Sequence, residues 1–338
     1  MKTGVLLINL GTPTAPTVSA VRRYLREFLL DKRVVDLPVW LRYLLVYGII
    51  LPFRSPKSTK AYQMIWQKTG SPLLYHSEQL RAAVAERLGE KYCVALAMRY
   101  AQPNMQQAVL ALQEAGCDTI IVLPLFPQYS SAATGSALEK WHELQKSLNN
   151  ISNSHVISDF FEEPLFIQAW ANVIREQALS FQPQHWLLSY HGLPMRQVLK
   201  SESASVNCDR THACPSVNEA NRFCYRAQSY ATSRALAMEM GWHEEQYSVA
   251  FQSRIGKVPW ILPYTDVLLQ EWRKQGIDQV AVICPSFVAD CLETLEEIGI
   301  RAQKQWQAMG GKDFALIPAL NNHPAWVQAL VTWIRRYE

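Results

Sequence analysis

The sequence predicts an α/β protein: two similar Rossmann-like domains, each a four-stranded parallel sheet flanked by helices, with a cleft between them. Three observations predict it. The chain has 338 residues, more than one common domain holds, so two domains are the natural division. Short apolar runs alternate with stretches of helical spacing, the pattern of strands paired in parallel through helical crossovers. The second half of the chain repeats the plan of the first.

The first run, 5–10, ends in a Gly-Thr-Pro turn and reads as a fully buried strand. It is too short for a secretory signal and lacks a small-residue cleavage site, so the expected location is cytoplasmic. Seven cysteines, an odd number, then argue against a disulfide framework. Segment 19–30 has apolar residues at helical spacing among Arg and Glu. Segment 37–53 is almost wholly apolar and aromatic, broken by Arg42 and bounded by Pro38 and Pro52. A spanning helix needs about 20 uninterrupted apolar residues, so two readings remain: a buried helix, or an exposed apolar lip on a membrane or a greasy ligand. The aromatic content and the fringe of Arg42, Arg54 and Lys57 favour the lip.

Strands follow at 92–98, 119–126 and 154–160, with helices such as 77–88 and 105–114 between them. The second set lies at 186–190, 247–252, 279–284 and 314–317. The expected domains are 1–165, carrying the lip, and 166–320, with a C-terminal helix in 321–338 packing back on the first. No G-x-G-x-x-G follows any strand, so no nucleotide is expected. With a net charge of +4 and no Lys/Arg run, neither is nucleic acid.

Ligands in open α/β sheets bind beyond the carboxyl ends of the strands. Those ends offer Leu10, Arg99-Tyr100, Tyr129, His191, Phe251-Gln252-Ser253-Arg254 and Cys284-Pro285-Ser286-Phe287, the last followed by Asp290, Glu293 and Glu297 at helical spacing. The histidine can take a proton or bind a metal, or can simply be packed in a loop. The acids read as a solvated face or, beside Phe287 and Val288, as the lining of a site. Two arginines, aromatics, one histidine and a carboxylate row suit a large, flat, acid-bearing apolar ligand plus a cation.

Ser189-Tyr190-His191-Gly192-Leu193-Pro194, Phe251-Gln252-Ser253-Arg254, Pro263-Tyr264-Thr265-Asp266 and Asp290-Cys291-Leu292-Glu293-Thr294-Leu295 resemble the motifs of the ferrochelatase family. Asn9-Leu10-Gly11-Thr12-Pro13, Gly70-Ser71-Pro72-Leu73, Met98-Arg99-Tyr100 and Pro124-Leu125-Phe126-Pro127-Gln128-Tyr129 extend the resemblance nearly end to end. It implies insertion of Fe²⁺ into protoporphyrin IX with release of two protons, the last step of haem synthesis, with ferrous iron as substrate. It implies that His191 and Glu293 are catalytic and meet the metal, with Glu297 and Asp290 as a secondary acidic path. Leu10, Arg99, Tyr100, Tyr129 and Phe287 would meet the porphyrin, and the lip would grip the macrocycle and touch the membrane's inner face. The alternatives are a chelatase for coproporphyrin or another tetrapyrrole, and a non-catalytic haem or porphyrin carrier; a carrier would need neither His191 nor Glu293. Monomer and homodimer both stay open.

Three positions depart from the family pattern. Arg301 stands where many members carry a third acid, Cys291 where some have histidine, and Leu10 where others show Tyr or Met. Cys208, Cys214 and Cys224 lie in an apparent insertion, 201–227, with Asp209 and His212. Some family members hold a [2Fe–2S] cluster on such a segment with four cysteines; here Ser229 stands near the place of the fourth. A cluster, a zinc site and free thiols are the three readings.

Overall fold

A computed structural model describes residues 2–146, 153–178, 181–201, 214–256 and 258–337. Among them the eight strands are β1 (Lys2–Gly11), β2 (Tyr92–Tyr100), β3 (Cys117–Pro124), β4 (Asn153–Val156), β5 (His185–His191), β6 (Tyr247–Gln252), β7 (Gln279–Ile283) and β8 (Asp313–Leu316). They form two sheets, ordered β2-β1-β3-β4 and β6-β5-β7-β8, and every pairing is parallel. Both sheets therefore have the same doubly wound topology, as the alternation of the sequence predicts. The inner strands are shielded on both faces, which is why they read as unbroken apolar runs: Val5–Ile8 and Val280–Ile283 have no solvent exposure. The outer strand β4 is shorter than the expected 154–160: after the Ile157 N–H donates to the Val122 carbonyl at 3.0 Å, the chain leaves the strand.

The chain divides into two compact units. The first comprises residues 1–126, 131–159 and 326–338; the second comprises 127–130 and 160–325. The first contains α1 (Val18–Leu30), α2 (Val39–Leu45), α3 (Leu51–Ile65), α4 (Pro72–Leu88), α5 (Met105–Glu114) and α6 (Ser136–Gln145). The second contains α7 (Pro164–Ala178), α8 (Met195–Ser201), α9 (Tyr225–Met240), α10 (Thr265–Lys274) and α11 (Gln303–Ala308). The last helix, α12 (Pro324–Arg335), has nearly all its residues in the first unit, where Arg335 donates to the carbonyl of Arg87 at 3.1 Å.

Local chemistry explains the element ends. Thr17 accepts the Ala20 N–H to cap α1, and Pro72 opens α4, where a missing N–H costs nothing. Gly241 closes α9 in the left-handed conformation. The expected boundary at Pro52 is a correction: Pro52 lies in the first turn of α3, and the helical path runs on to Ile65. The five residues Val46–Ile50 between α2 and α3 are π-helical, a wider turn that changes which side chains face outward. Two further π-helical stretches, Ser131–Gly135 and Glu293–Ala302, each follow the third strand of a sheet.

Candidate active site

In each sheet the chain leaves the first strand toward one neighbour and later crosses to the other, so the β5/β7 boundary is a topological switch point. Beyond the carboxyl ends there, no crossover covers the gap, and ligands bind in such gaps. His191 is the last residue of β5, and Ser286 and Phe287 lie just past β7. The His191 backbone N–H donates to Ser286 Oγ at 3.1 Å, and its ring stands edge-on to Phe287 at 6.1 Å. His191 Nδ1 lies 2.6 Å from the Gly192 carbonyl oxygen. A carbonyl only accepts, so Nδ1 carries a proton, and in the neutral ring the lone pair is then on Nε2.

Gly192 is there for space: a Cβ on it would come within 2.6 Å of the Gln252 carbonyl oxygen. That carbonyl accepts the Gly192 N–H at 2.8 Å. The buried Gln252 side chain reaches the other way, donating from Nε2 to the Glu293 carbonyl at 2.8 Å and accepting from Ser189 Oγ at 2.7 Å. One residue thus ties the strand end bearing His191 to the first turn bearing Glu293. Ser253, with a left-handed φ of 68°, holds Glu297 by both carboxylate oxygens, from its N–H at 2.9 Å and its Oγ at 2.5 Å. Glu293 and Glu297 both lie on the π-helical stretch and are half-buried. Their charge is felt nearby: burial, then the charges of Asp290 and Glu297, pushes the Cys284 thiol up. Burial, then Glu293, does the same to Cys291, so neither thiol is a ready metal ligand or nucleophile.

Asp290 is a correction to the expected acidic row. It precedes the helix and is buried, accepting from Thr294 Oγ1 at 2.9 Å, Asn321 Nδ2 at 2.8 Å and the Ala319 N–H at 3.3 Å. Those bonds hold a loop together and leave no path for a proton or an ion. Beyond Glu297 the row ends in Arg301, whose guanidinium pairs with Glu296 at 2.9 Å.

Leu10, Arg99 and Tyr100 occupy the corresponding strand ends of the first unit. Leu10 is half-buried at the penultimate position of β1, before Gly11, whose φ of 119° and closeness to the Tyr100 carbonyl admit no side chain. Arg99 is largely committed: Nη2 meets Asp31 Oδ2 at 2.7 Å and Nε meets Ser136 Oγ at 2.7 Å. Tyr100 is a second correction. Its ring is sealed beneath Phe28 and its hydroxyl donates to Asp31 at 2.9 Å, so it braces Arg99 and offers a ligand no surface. Burial would raise the Asp31 carboxyl, but the Ser136 hydroxyl, the Arg33 N–H, the Tyr100 hydroxyl and the Arg99 charge together hold it below its usual value. Tyr129 belongs with the second unit, its N–H on Gln228 Oε1 at 2.6 Å and its half-buried ring against Phe223.

Of the three cysteines, Cys208 lies outside the described residues. Cys214 and Cys224 are buried; Cys214 Sγ accepts from Arg226 Nη1 at 2.8 Å, and Cys224 Sγ caps α9 by accepting the Ala227 N–H. Among the described residues no group of three or more His, Cys, Asp and Glu converges on a metal-sized space.

Sequence reasoning places Gln252, Ser253 and Ser286 at strand ends without a role and misses Asp31 and Ser136. Each is a small polar group at a strand or helix end, and only a buried-polar signal at Gln252 and Asp31 could have drawn attention to them.

The model of the family described as Ferrochelatase matches residues 2–338. A ferrochelatase of Coxiella burnetii (strain Dugway 5J108-111) is 51% identical over 335 residues, covering 99% of this chain and 94% of that protein. One of Legionella pneumophila (strain Corby) is 50% identical over 330 residues, covering 98% of each. Among solved structures, the sirohydrochlorin chelatase SirB of Bacillus subtilis subspecies spizizenii in complex with cobalt aligns with a TM-score of 0.56 at 10% identity, covering 99% of this chain and 95% of that one. At that identity the likeness speaks for the fold alone.

Proposed function

The chain belongs to the ferrochelatase family, and we propose that it inserts Fe²⁺ into protoporphyrin IX with His191 and Glu293 at the reacting centre. The observation that carries this reading is the fixed tautomer of His191: a bare Nε2 at a switch point, beside a carboxylate-bearing turn tied to the same strand end through Gln252.

Insertion exchanges two pyrrole N–H protons for one divalent cation, so charge balances when both protons leave. The Nε2 lone pair accepts one proton from a pyrrole nitrogen tilted out of the ring plane, forming imidazolium, and passes it to solvent before accepting the second, so that both protons end in water. Imidazole nitrogen and carboxylate oxygen are both acceptable donors to Fe²⁺, so Glu293 serves the incoming ion. Glu297, held on both oxygens by Ser253, gives a fixed negative charge that favours a cation and the departing protons. Arg99, braced by Asp31 and Ser136, is the cation this reading offers to a porphyrin propionate, since guanidinium suits a carboxylate.

The lip contacts the membrane. Val39, Trp40, Tyr43, Leu44, Tyr47, Ile49 and Phe53 are exposed, with Trp40 and Phe53 about 70% so (70% and 71%). No helix among the described residues is long and apolar enough to cross a bilayer. The same apolar stretch favours protoporphyrin over a more carboxylate-rich tetrapyrrole.

Cys214 and Cys224, with Cys208 from outside the described residues, would hold a [2Fe–2S] cluster in this reading. It is supported by the donor set: the guanidinium on Cys214 and the amide on Cys224 suit thiolate sulfur, and such hydrogen bonds tune cluster sulfurs. A bound cluster supplies one-electron chemistry that metal insertion does not need. The test is the visible spectrum of protein purified without oxygen: cluster bands that vanish in Cys214→Ser support the site, and a featureless spectrum excludes it.

For the insertion itself, the parent protein with protoporphyrin and Fe²⁺ should develop haem bands catalytically. His191→Ala should keep the shifted spectrum of bound porphyrin while turnover falls by roughly a hundred-fold or more. Near-parental turnover in that variant would remove His191 from the reaction, and a porphyrin spectrum that shifts once without turnover in the parent would mark a carrier.

A further inference from the structure

The unit that carries the apolar lip also carries cations without counter-ions. Arg22, Arg23 and Arg26 are exposed on α1 and, with Tyr47, Leu51 and Pro52, line a surface cavity of about 520 Å³. They lie within one helical turn, where like charges repel. The acids of the same helix and its C-terminus are spent elsewhere: Glu27 accepts the Ala101 N–H at 3.0 Å, and Asp31 is bound to Arg99. None of the three guanidiniums has a hydrogen-bond or ion-pair partner among the described residues. The chain supplies no nearby replacement in sequence, since no acidic residue occurs between Asp36 and Glu78, while α3 adds exposed Arg54 and Lys57.

An anion from outside completes such a cluster, and the planar guanidinium fork matches the oxygens of a phosphate. Tyr47 identifies the kind of phosphate. It lines the arginine cavity and is also one of the exposed lip side chains, so the polar site opens directly onto the apolar one. A phosphate bearing acyl chains satisfies both; a free phosphate satisfies only the first. We propose that the cavity of Arg22, Arg23 and Arg26 is a headgroup site for an anionic phospholipid, so that the lip docks selectively on negatively charged bilayer. This rests on the membrane contact proposed above and names the partner that contact selects.

The test is co-sedimentation of the full chain with vesicles of phosphatidylcholine alone and of an equal mixture with phosphatidylglycerol. The parent should bind the mixed vesicles much more tightly, and high salt should remove most of the difference. Each cation near an anionic surface adds roughly five-fold to partitioning, so the triple variant Arg22→Gln, Arg23→Gln, Arg26→Gln should lose roughly a hundred-fold on mixed vesicles and change little on phosphatidylcholine. Circular dichroism of the variant checks that α1 is intact. Equal binding of the parent to both vesicles, or a triple variant that binds mixed vesicles like the parent, overturns the headgroup site while leaving the membrane contact standing. A parent that binds neither vesicle overturns the membrane contact itself.

Discussion

Gln252 joins the two groups proposed to do the chemistry without reaching substrate itself. Its main-chain carbonyl holds Gly192, whose own carbonyl orients His191, and its amide holds the Glu293 carbonyl. It is a positioning residue. Displacing a reacting group by about 1 Å can cost about a hundred-fold in rate. Gln252→Ala should therefore lower kcat ten- to a hundred-fold while KM for porphyrin stays within about two-fold. Steady-state kinetics over a porphyrin series check the split, and a rise in KM with kcat unchanged would assign Gln252 to binding instead. Much of this was legible in advance: His191 and Glu293 stand out as chemistry-bearing residues at a strand end and a helix start. Gln252 did not, because a glutamine ending a buried strand looks the same whether it faces solvent or bridges two elements.

At the scale of elements, the lip and the π-helical stretches are unusual. Segment 37–53 reads as apolar throughout, and composition leaves open whether the apolar side chains face in or out. The structure puts Arg42 inside and Trp40 and Phe53 outside, the reverse of an ordinary amphipathic helix. Because Trp40 and Phe53 bury little, Trp40→Ser with Phe53→Ser should shift the midpoint of thermal unfolding by only a degree or two. The same double variant should bind porphyrin more weakly, as read by titration of the shifted spectrum. A large loss of stability would instead mean that these side chains are part of the core. In the second unit the π-helical winding of Glu293–Ala302 departs from the α-helical period read from the sequence. Glu293 and Glu297 remain neighbours under either winding, but Asp290 drops out because the helix starts after it. Helix starts are fixed by capping partners, and here those partners, Asn321 and Thr294, include one from a distant loop.

At the scale of the whole molecule, two units of identical sheet order fold around separate cores, so their stabilities can be perturbed separately. Asp31 gives a handle on the first. Its folded-state carboxyl is held below its usual value, so it contributes stability that is fully present above pH 4 or so and is lost as pH falls through the depressed value. Asp31→Asn removes that contribution and leaves Arg99 without its counter-ion, a loss of about 1–3 kcal/mol at neutral pH. Denaturant unfolding across pH checks it: the gap between parent and variant should begin to close as pH falls through about 4 and vanish below the depressed value, and an unchanged gap at that acidity would show the loss to be steric. By itself the sequence determined the eight strands, the parallel pairing and the strand-end residues. Apolar periodicity records burial, and burial fixes those features locally. Only the tertiary structure decided that His191 bares Nε2, that Asp290 and Tyr100 brace their surroundings, and that Arg99 is bound to Asp31. The His191 ring is turned by the carbonyl of its own neighbour Gly192, whereas Asp290, Tyr100 and Arg99 depend on Asn321 and Asp31, distant along the chain and brought close only by folding.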